Sequence, residues 1–193
     1  MNGFTRTLSE GDLRSDGFAN EVARIVSEQP ALLPDLVEAL SSSDPSVRGH
    51  AADALEKVAR IRPREVLAFL TRILSSAVHD EVAMVRWHLA MVLGHLSTVA
   101  HDLSGARRTL LSLLKDESAF VRSWAITSLC ILARNSPAQA RSTAAKIAPL
   151  TSDPSPAVAV RARTALRLLS DPRTPLPKGW VKSSHPGTTK SRS

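Results

Sequence analysis

Four stretches of this chain are variations on one another and recur at an almost constant distance: DPSVRGHAADAL, DEVAMVRWHLAMVL, DESAFVRSWAITSL and DPSPAVAVRARTAL. Aligned on Val47, Val85, Val121 and Val158, the anchors stand 38, 36 and 37 residues apart. Each anchor is followed four positions on by a small or apolar residue (Ala51, Leu89, Ala125, Ala162) and eight positions on by leucine (Leu55, Leu93, Leu129, Leu166). Positions i, i+4 and i+8 share one helical face, so every stretch is an amphipathic helix in the same register. This repetition constrains the fold more than any other feature. A two-helix unit of this size cannot bury both of its apolar faces alone, whereas stacked units share one continuous core.

A shorter apolar helix precedes each stretch, at roughly 31–42, 63–77, 103–115 and 137–151, with Pro30, Pro63 and Pro137 near the starts, where a missing N–H costs little. The expected fold is all-α: a short right-handed α-solenoid of about four helix pairs, spanning 16–171, with repeats at about 31–60, 63–99, 103–134 and 137–170. Residues 16–29, DGFANEVARIVSEQ, read as an N-terminal capping helix, and 1–15 as a loosely ordered segment. From SDPRTPLPKGW onward proline, glycine, serine and lysine replace the apolar pattern, so 172–193 read as a basic disordered tail. Composition agrees, since aromatics reach only 4% and tyrosine is absent, a mix that favours helices over β-sandwiches.

Charge placement tempers the formal +7. Residues 172–193 hold five cations (Arg173, Lys178, Lys182, Lys190, Arg192) and no acid, leaving 20 basic against 18 acidic groups in 1–171. Within that span, 1–62 carry 7 basic and 10 acidic groups and 63–171 carry 13 and 8, so the positive field grows toward the C-terminus. Cys130 is the only cysteine, which excludes an internal disulfide and fits a reducing compartment. MNGFTRTLSEGDLRSDG has no apolar signal core, and no apolar run approaches the roughly 18 residues of a membrane span. The expected location is the cytoplasm, away from membranes.

The pattern D-P-x-V-R-x-x-A-x-x-x-L, carried by Asp44, Pro45, Val47, Arg48, Ala51 and Leu55, resembles the second helix of a HEAT repeat. DEVAMVR and DESAFVR fit it too, with Asp80 and Asp116 six residues before Arg86 and Arg122. The resemblance covers roughly residues 31–170, and the chain is similar in organisation to short bacterial-type HEAT-repeat proteins. It implies that Asp44, Arg48, Asp80, Arg86, Asp116 and Arg122 form a structural ladder between repeats. The fourth copy departs from the pattern: Ala159 stands at the ladder arginine and Arg161 lies two positions further on. The family also implies that the second helices line the concave surface.

On a helical wheel with Val85, Leu89 and Leu93 inward, positions +2, +6, +9 and +13 from each anchor face away from the core. The expected partner-binding groove is therefore Trp87, Met91, Ser123, Thr127, Arg134 and Arg167, with Cys130 in the same columns. Trp87 either offers a binding hot spot or fills the gap between adjacent second helices. Its replacement by alanine would leave the thermal midpoint nearly unchanged in the first case and cost roughly 3 kcal/mol in the second. Trp124, one position off the column, suits edge packing. His50 and His88 share the +3 column and His95 lies two turns beyond His88, a spacing unlike any zinc site, so no metal is expected. No glycine-rich phosphate loop, no G-x-S-x-G elbow and no inward carboxylate pair is present. Cys130 has no base beside it in sequence and reads as structural.

These observations point to a non-catalytic scaffold without cofactor that binds a protein or peptide in its groove. A second reading is nucleic-acid binding through the C-terminal basic half and tail, similar to the HEAT-like alkylpurine DNA glycosylases, with Trp87 and Trp180 stacking on bases. That reading needs a groove carboxylate, and Asp53 is the one acid near enough to suggest. The HEAT-like phycobilin lyases share the repeats, and that likeness reaches no further than the fold.

Overall fold

The four repeating stretches fold as the long helices of the protein. The computed structural model describes residues 8–9, 18–100 and 102–181. Helix α1 (Ala19–Glu28) leads into α2 (Leu33–Glu38), flanked by the 3-10 turns Pro30–Leu32 and Ala39–Ser41, and then α3 (Pro45–Ile61). The second pair is α4 (Pro63–Leu67) and α5 (Leu70–His79) followed by α6 (Ala83–His95). The third is α7 (Ser104–Leu113) and α8 (Ala119–Ala133), and the fourth is α9 (Pro137–Ile147), prolonged by the turn Ala148–Ser152, and α10 (Pro156–Ser170). The first helix of the second repeat is thus split. At the split, the Ala68 and Phe69 N–H groups reach back three residues, to Glu65 and Val66, which tightens the helix into 3-10 geometry.

Each long helix begins for the same local reason. Asp44, Asp80, Asp116 and Asp153 each turn Oδ1 onto the backbone N–H two residues ahead (Ser46, Val82, Ser118, Ser155), all at 2.8 Å. Proline at the first helical position of α3, α4, α9 and α10 adds a preset φ where no intrahelical donor is needed.

The second helices α3, α6, α8 and α10 pack side by side, with α1 closing the row against α3. The first helices α5, α7 and α9 lie against α6, α8 and α10. Val47, Val85, Val121 and Val158 are all inside the core, as are Ala51, Leu89, Ala125 and Ala162. The protein is therefore an all-α solenoid, and no helix among the described residues is long and apolar enough to cross a membrane.

At both ends the chain outside the helices meets the core. Leu8 is buried and its carbonyl accepts from His50 Nδ1 at 2.8 Å. Residues 172–181, expected to be disordered, instead fold back: Leu176 packs against the core and Trp180 is only 7% exposed. Proline-rich composition removes the means to form a helix, but one indole gives the segment enough apolar surface to dock. The remainder of the tail, 182–193, and most of 1–15 lie outside the described residues.

Two second helices approach closely at Gly94 of α6. A Cβ there would stand 2.7 Å from Ser128 Oγ of α8, whose hydroxyl donates to the Ala90 carbonyl at 2.7 Å. Gly94→Ala is expected to cost about 1–3 kcal/mol of stability through overpacking, despite alanine's better helix propensity. Urea unfolding checks it, and Ser128→Gly in the same chain should recover part of the loss.

Candidate interaction surface

Two rows of polar side chains run across the second helices, and both are inter-repeat connections. In the first, Arg48 Nε donates to Asp80 Oδ2 at 2.9 Å, Arg86 Nε to Asp116 Oδ2 at 2.6 Å and Arg122 Nε to Asp153 Oδ2 at 2.8 Å. The Nη1 atoms of Arg86 and Arg122 turn back to carbonyls five and six residues earlier, Asp80 and Glu81, Asp116 and Glu117. Each guanidinium thereby ties the loop before its own helix to the aspartate that precedes the second helix of the next repeat. Those aspartates serve both sides, Oδ1 closing the turn onto the N-cap residue's N–H and Oδ2 as ion-pair partner, while Asp44 is itself the N-cap of α3. Asp153 completes the row in the fourth repeat and was absent from the expected set, although its place in DPSPAV, like Asp44 in DPSV, is the signal that reveals it.

The second row lies between α3 and α6. Glu56, fully buried, accepts from Arg60 through both oxygens and from His95 Nε2 at 2.8 Å. Burial would raise the Glu56 carboxyl, but the bonds from His95 and Arg60 prevail and hold it at about 2. One turn earlier, Lys57 Nζ meets Asp53 Oδ2 at 2.6 Å while Asp53 Oδ1 faces His88 Nε2 at 3.4 Å. His88 Nδ1 lies 2.9 Å from the Met84 carbonyl, which can only accept, so Nδ1 carries the proton and Nε2 is free to accept from Trp87 Nε1 at 3.2 Å. Burial pushes the His88 imidazole below its ordinary value of 6.5, in keeping with that neutral form, against the pull of Asp53 and Glu56.

A proton on His88 Nε2 would abolish the bond from Trp87 and strengthen the approach to Asp53. Because the folded imidazole titrates below 6.5, its contribution to stability is complete above that pH and declines as pH falls through the lower folded value. Tryptophan emission is expected to shift over the same acidic window in the wild-type chain, and His88→Gln should remove that shift.

The expected groove columns are mostly interior. Met91, Ser123, Thr127 and Cys130 are buried. Thr127 Oγ1 donates to the Ser123 carbonyl and accepts from Arg161 Nη1 at 2.8 Å. Burial raises the Cys130 thiol to about 11, so it is inert at neutral pH. The wheel assigned each helix one buried face, but a second helix inside the row packs on its own first helix and on neighbours to either side. In α3, α6 and α8 that arrangement buries the +6 and +9 positions (Asp53, Met91, Thr127; Glu56, Gly94, Cys130) together with 0, +4 and +8, and at +2 it buries Gly49 and Ser123. The +3 column reads His50, His88, Trp124 and Arg161, of which His50 is fully buried and the other three are half-buried.

Of the remaining expected groove residues, Arg167 is exposed. Arg134 is half-buried and donates through Nη2 to the carbonyls of Pro172 and of Thr174, the latter at 2.8 Å. Trp87 is half-buried, between a free hot spot and a gap filler, and its ring packs against Phe120 of α8 with centroids 5.1 Å apart and a tilt of 39°. Phe120, at 64% exposure, has the largest accessible fraction of any big apolar side chain among the described residues, and no expectation had included it. Its position just before an anchor valine follows no period, so only the fold reveals it.

Asp53, the carboxylate that a glycosylase-like site would require, is buried and engaged by Lys57. Among the described residues no group of three or more His, Cys, Asp or Glu side chains is placed to hold a metal ion.

Residues 19–85 match the family of HEAT repeats. No curated protein matches the chain. Among solved structures, a designed armadillo repeat protein superposes with a TM-score of 0.57 at 19% identity, over 86% of this chain and 80% of that one. A second engineered protein gives 0.54 at 18% identity, over 88% and 99%. Both likenesses concern the fold alone.

Proposed function

We propose that this solenoid of HEAT repeats is a non-catalytic scaffold in the cytoplasm that binds a protein or peptide partner along the concave face of its second helices. The observation that carries the reading is the division of labour among side chains. Arg48, Arg86, Arg122, His88 and His95 of the second helices are each engaged by a carboxylate of a neighbouring repeat, while Trp87 and Phe120 form an aromatic pair with one ring largely open to solvent. A rigid aromatic pair can bury much area at small entropic cost, which is how binding hot spots work. Stacked repeats supply the extended curved surface such partners use. The lone buried thiol of Cys130 suits a reducing compartment.

The immobilised full chain should retain a partner from its own cell extract, identified by mass spectrometry. Phe120→Asp should reduce that capture at least tenfold. Phe18→Asp, on an exposed aromatic before α1, should not. Equal capture by both variants overturns the reading. Binding to duplex DNA that weakens steeply with salt would instead favour nucleic acid as the partner.

A further inference from the structure

The segment after α10 is seated on the second helices in a way that its sequence does not require. It is a non-helical run of two turns joined by Pro175, Leu176 and Pro177: the Thr174 N–H reaches back to Asp171, and the Trp180 N–H to Pro177 in a turn where Gly179 takes a φ of +87° and Lys178 bridges to Val181. What holds it is the surface beneath. Arg134 receives two of its carbonyls, those of Pro172 and Thr174. Trp180 then lies against the guanidinium of Arg161, whose Cζ is 5.6 Å from the Trp180 ring centroid and 4.8 Å from that of Trp124. Arg161 is itself fixed by Thr127.

The fit is close on one side and open on the other. Toward α6 and α8, Trp180 meets Met91, Gly94, His95, Trp124, Ser128 and Ile131 around a void of only about 10 Å³. On its far side an open cavity of about 380 Å³ lies between Trp180 and Val160, Thr164 and Pro156 of α10. A cation between two indoles, with a second arginine reading main-chain carbonyls, recognises a chemistry rather than a covalent neighbour: a turn-containing backbone kept free of helix by proline, and an electron-rich indole following it.

We propose that Arg161, Trp124 and Arg134 form a socket for non-helical, proline-interrupted segments bearing a tryptophan, and that residues 172–181 occupy it in cis until such a segment of a protein partner displaces them. The inference rests on the scaffold reading and names the partner's chemistry. The tethered segment competes at high effective concentration, so it sets a threshold that only a partner able to engage additional surface, such as Phe120, would exceed.

The test uses the full chain with Trp180→Ala, which empties the socket while keeping the tether, and a fluorescent peptide of sequence PRTPLPKGWV. Fluorescence anisotropy should show the peptide binding Trp180→Ala at least tenfold more tightly than the wild-type chain. The same peptide with alanine for tryptophan should not bind, and Arg161→Ala added to Trp180→Ala should abolish binding in a chain whose circular dichroism is unchanged. Equal affinity for wild type and Trp180→Ala overturns the proposal, as does no binding to a folded Trp180→Ala chain. A concentration-dependent dimer of the wild-type chain that disappears in Trp180→Ala also overturns it, because the occupant is then the tail of a second copy. Should the socket fail while capture still depends on Phe120, the scaffold reading stands without it.

Discussion

Glu56→Ala is expected to lower the unfolding free energy by about 3–5 kcal/mol, because it leaves the Arg60 guanidinium and His95 facing each other in a buried site with no counter-charge. In a chain of this length that corresponds to a drop of roughly 10 °C in melting temperature. Glu56→Gln, which keeps an acceptor for one partner, should cost less. The same carboxylate makes an acid-sensitive element. Its folded value of about 2 lies below the ordinary 4.5, so its stabilisation is complete above pH 4.5 and is lost as pH falls toward 2. Acid titration of circular dichroism should show the wild-type chain unfolding through that window. The difference between wild type and Glu56→Ala should shrink to little at the lower end. A difference independent of pH would show that packing, not charge, is what alanine removes.

Arg86→Ala should produce a loss of similar size, about 3–5 kcal/mol, because the side chain is buried and its removal strands Asp116 and two carbonyls at once. Lysine at this position should recover only part of it: one ammonium cannot reach both oxygens of Asp116 and the Asp80 and Glu81 carbonyls in the fixed fork of a guanidinium. The useful control is Arg24, whose pairs with Glu21 and Glu28 are half-exposed and within one helix. Arg24→Ala should leave the unfolding free energy nearly unchanged, because solvent screens exposed pairs within one helix. Similar losses at Arg24 and Arg86 would mean that the row linking the repeats contributes no more than an ordinary surface pair.

The architecture was legible because it is written locally. Val47, Val85, Val121 and Val158 each fix a helical register, and the aspartate before each long helix marks its start. The pairing of Arg86 with Asp116 also has a local trace, since both belong to a motif that repeats. Which faces meet solvent was not legible, and the failure is specific. Ser123 and Thr127 looked outward because the wheel puts the +2 and +6 positions opposite the anchor, yet a hydroxyl satisfied within its own helix, as Thr127 is by the Ser123 carbonyl, is inexpensive to bury. Asp53 and Glu56 are likewise interior, and their partners His88 and His95 lie in the next repeat. Partners separated by about one repeat length are the trace that a single-helix wheel overlooks. Trp180 shows the reverse case: composition read its segment as unstructured, and one large ring overrides the prolines around it.

The inter-repeat row of arginines and aspartates has a consequence for how this protein could be lengthened. An extra two-helix unit spliced between the second and third would present an aspartate to Arg86 behind it and an arginine to Asp116 ahead, so the splice heals its own seams. The same unit joined after Ser170 would meet Ala159, which has no guanidinium to offer, and would have to displace the docked indole besides. Modularity in this chain is therefore internal: the middle accepts new members, and the C-terminal edge refuses them.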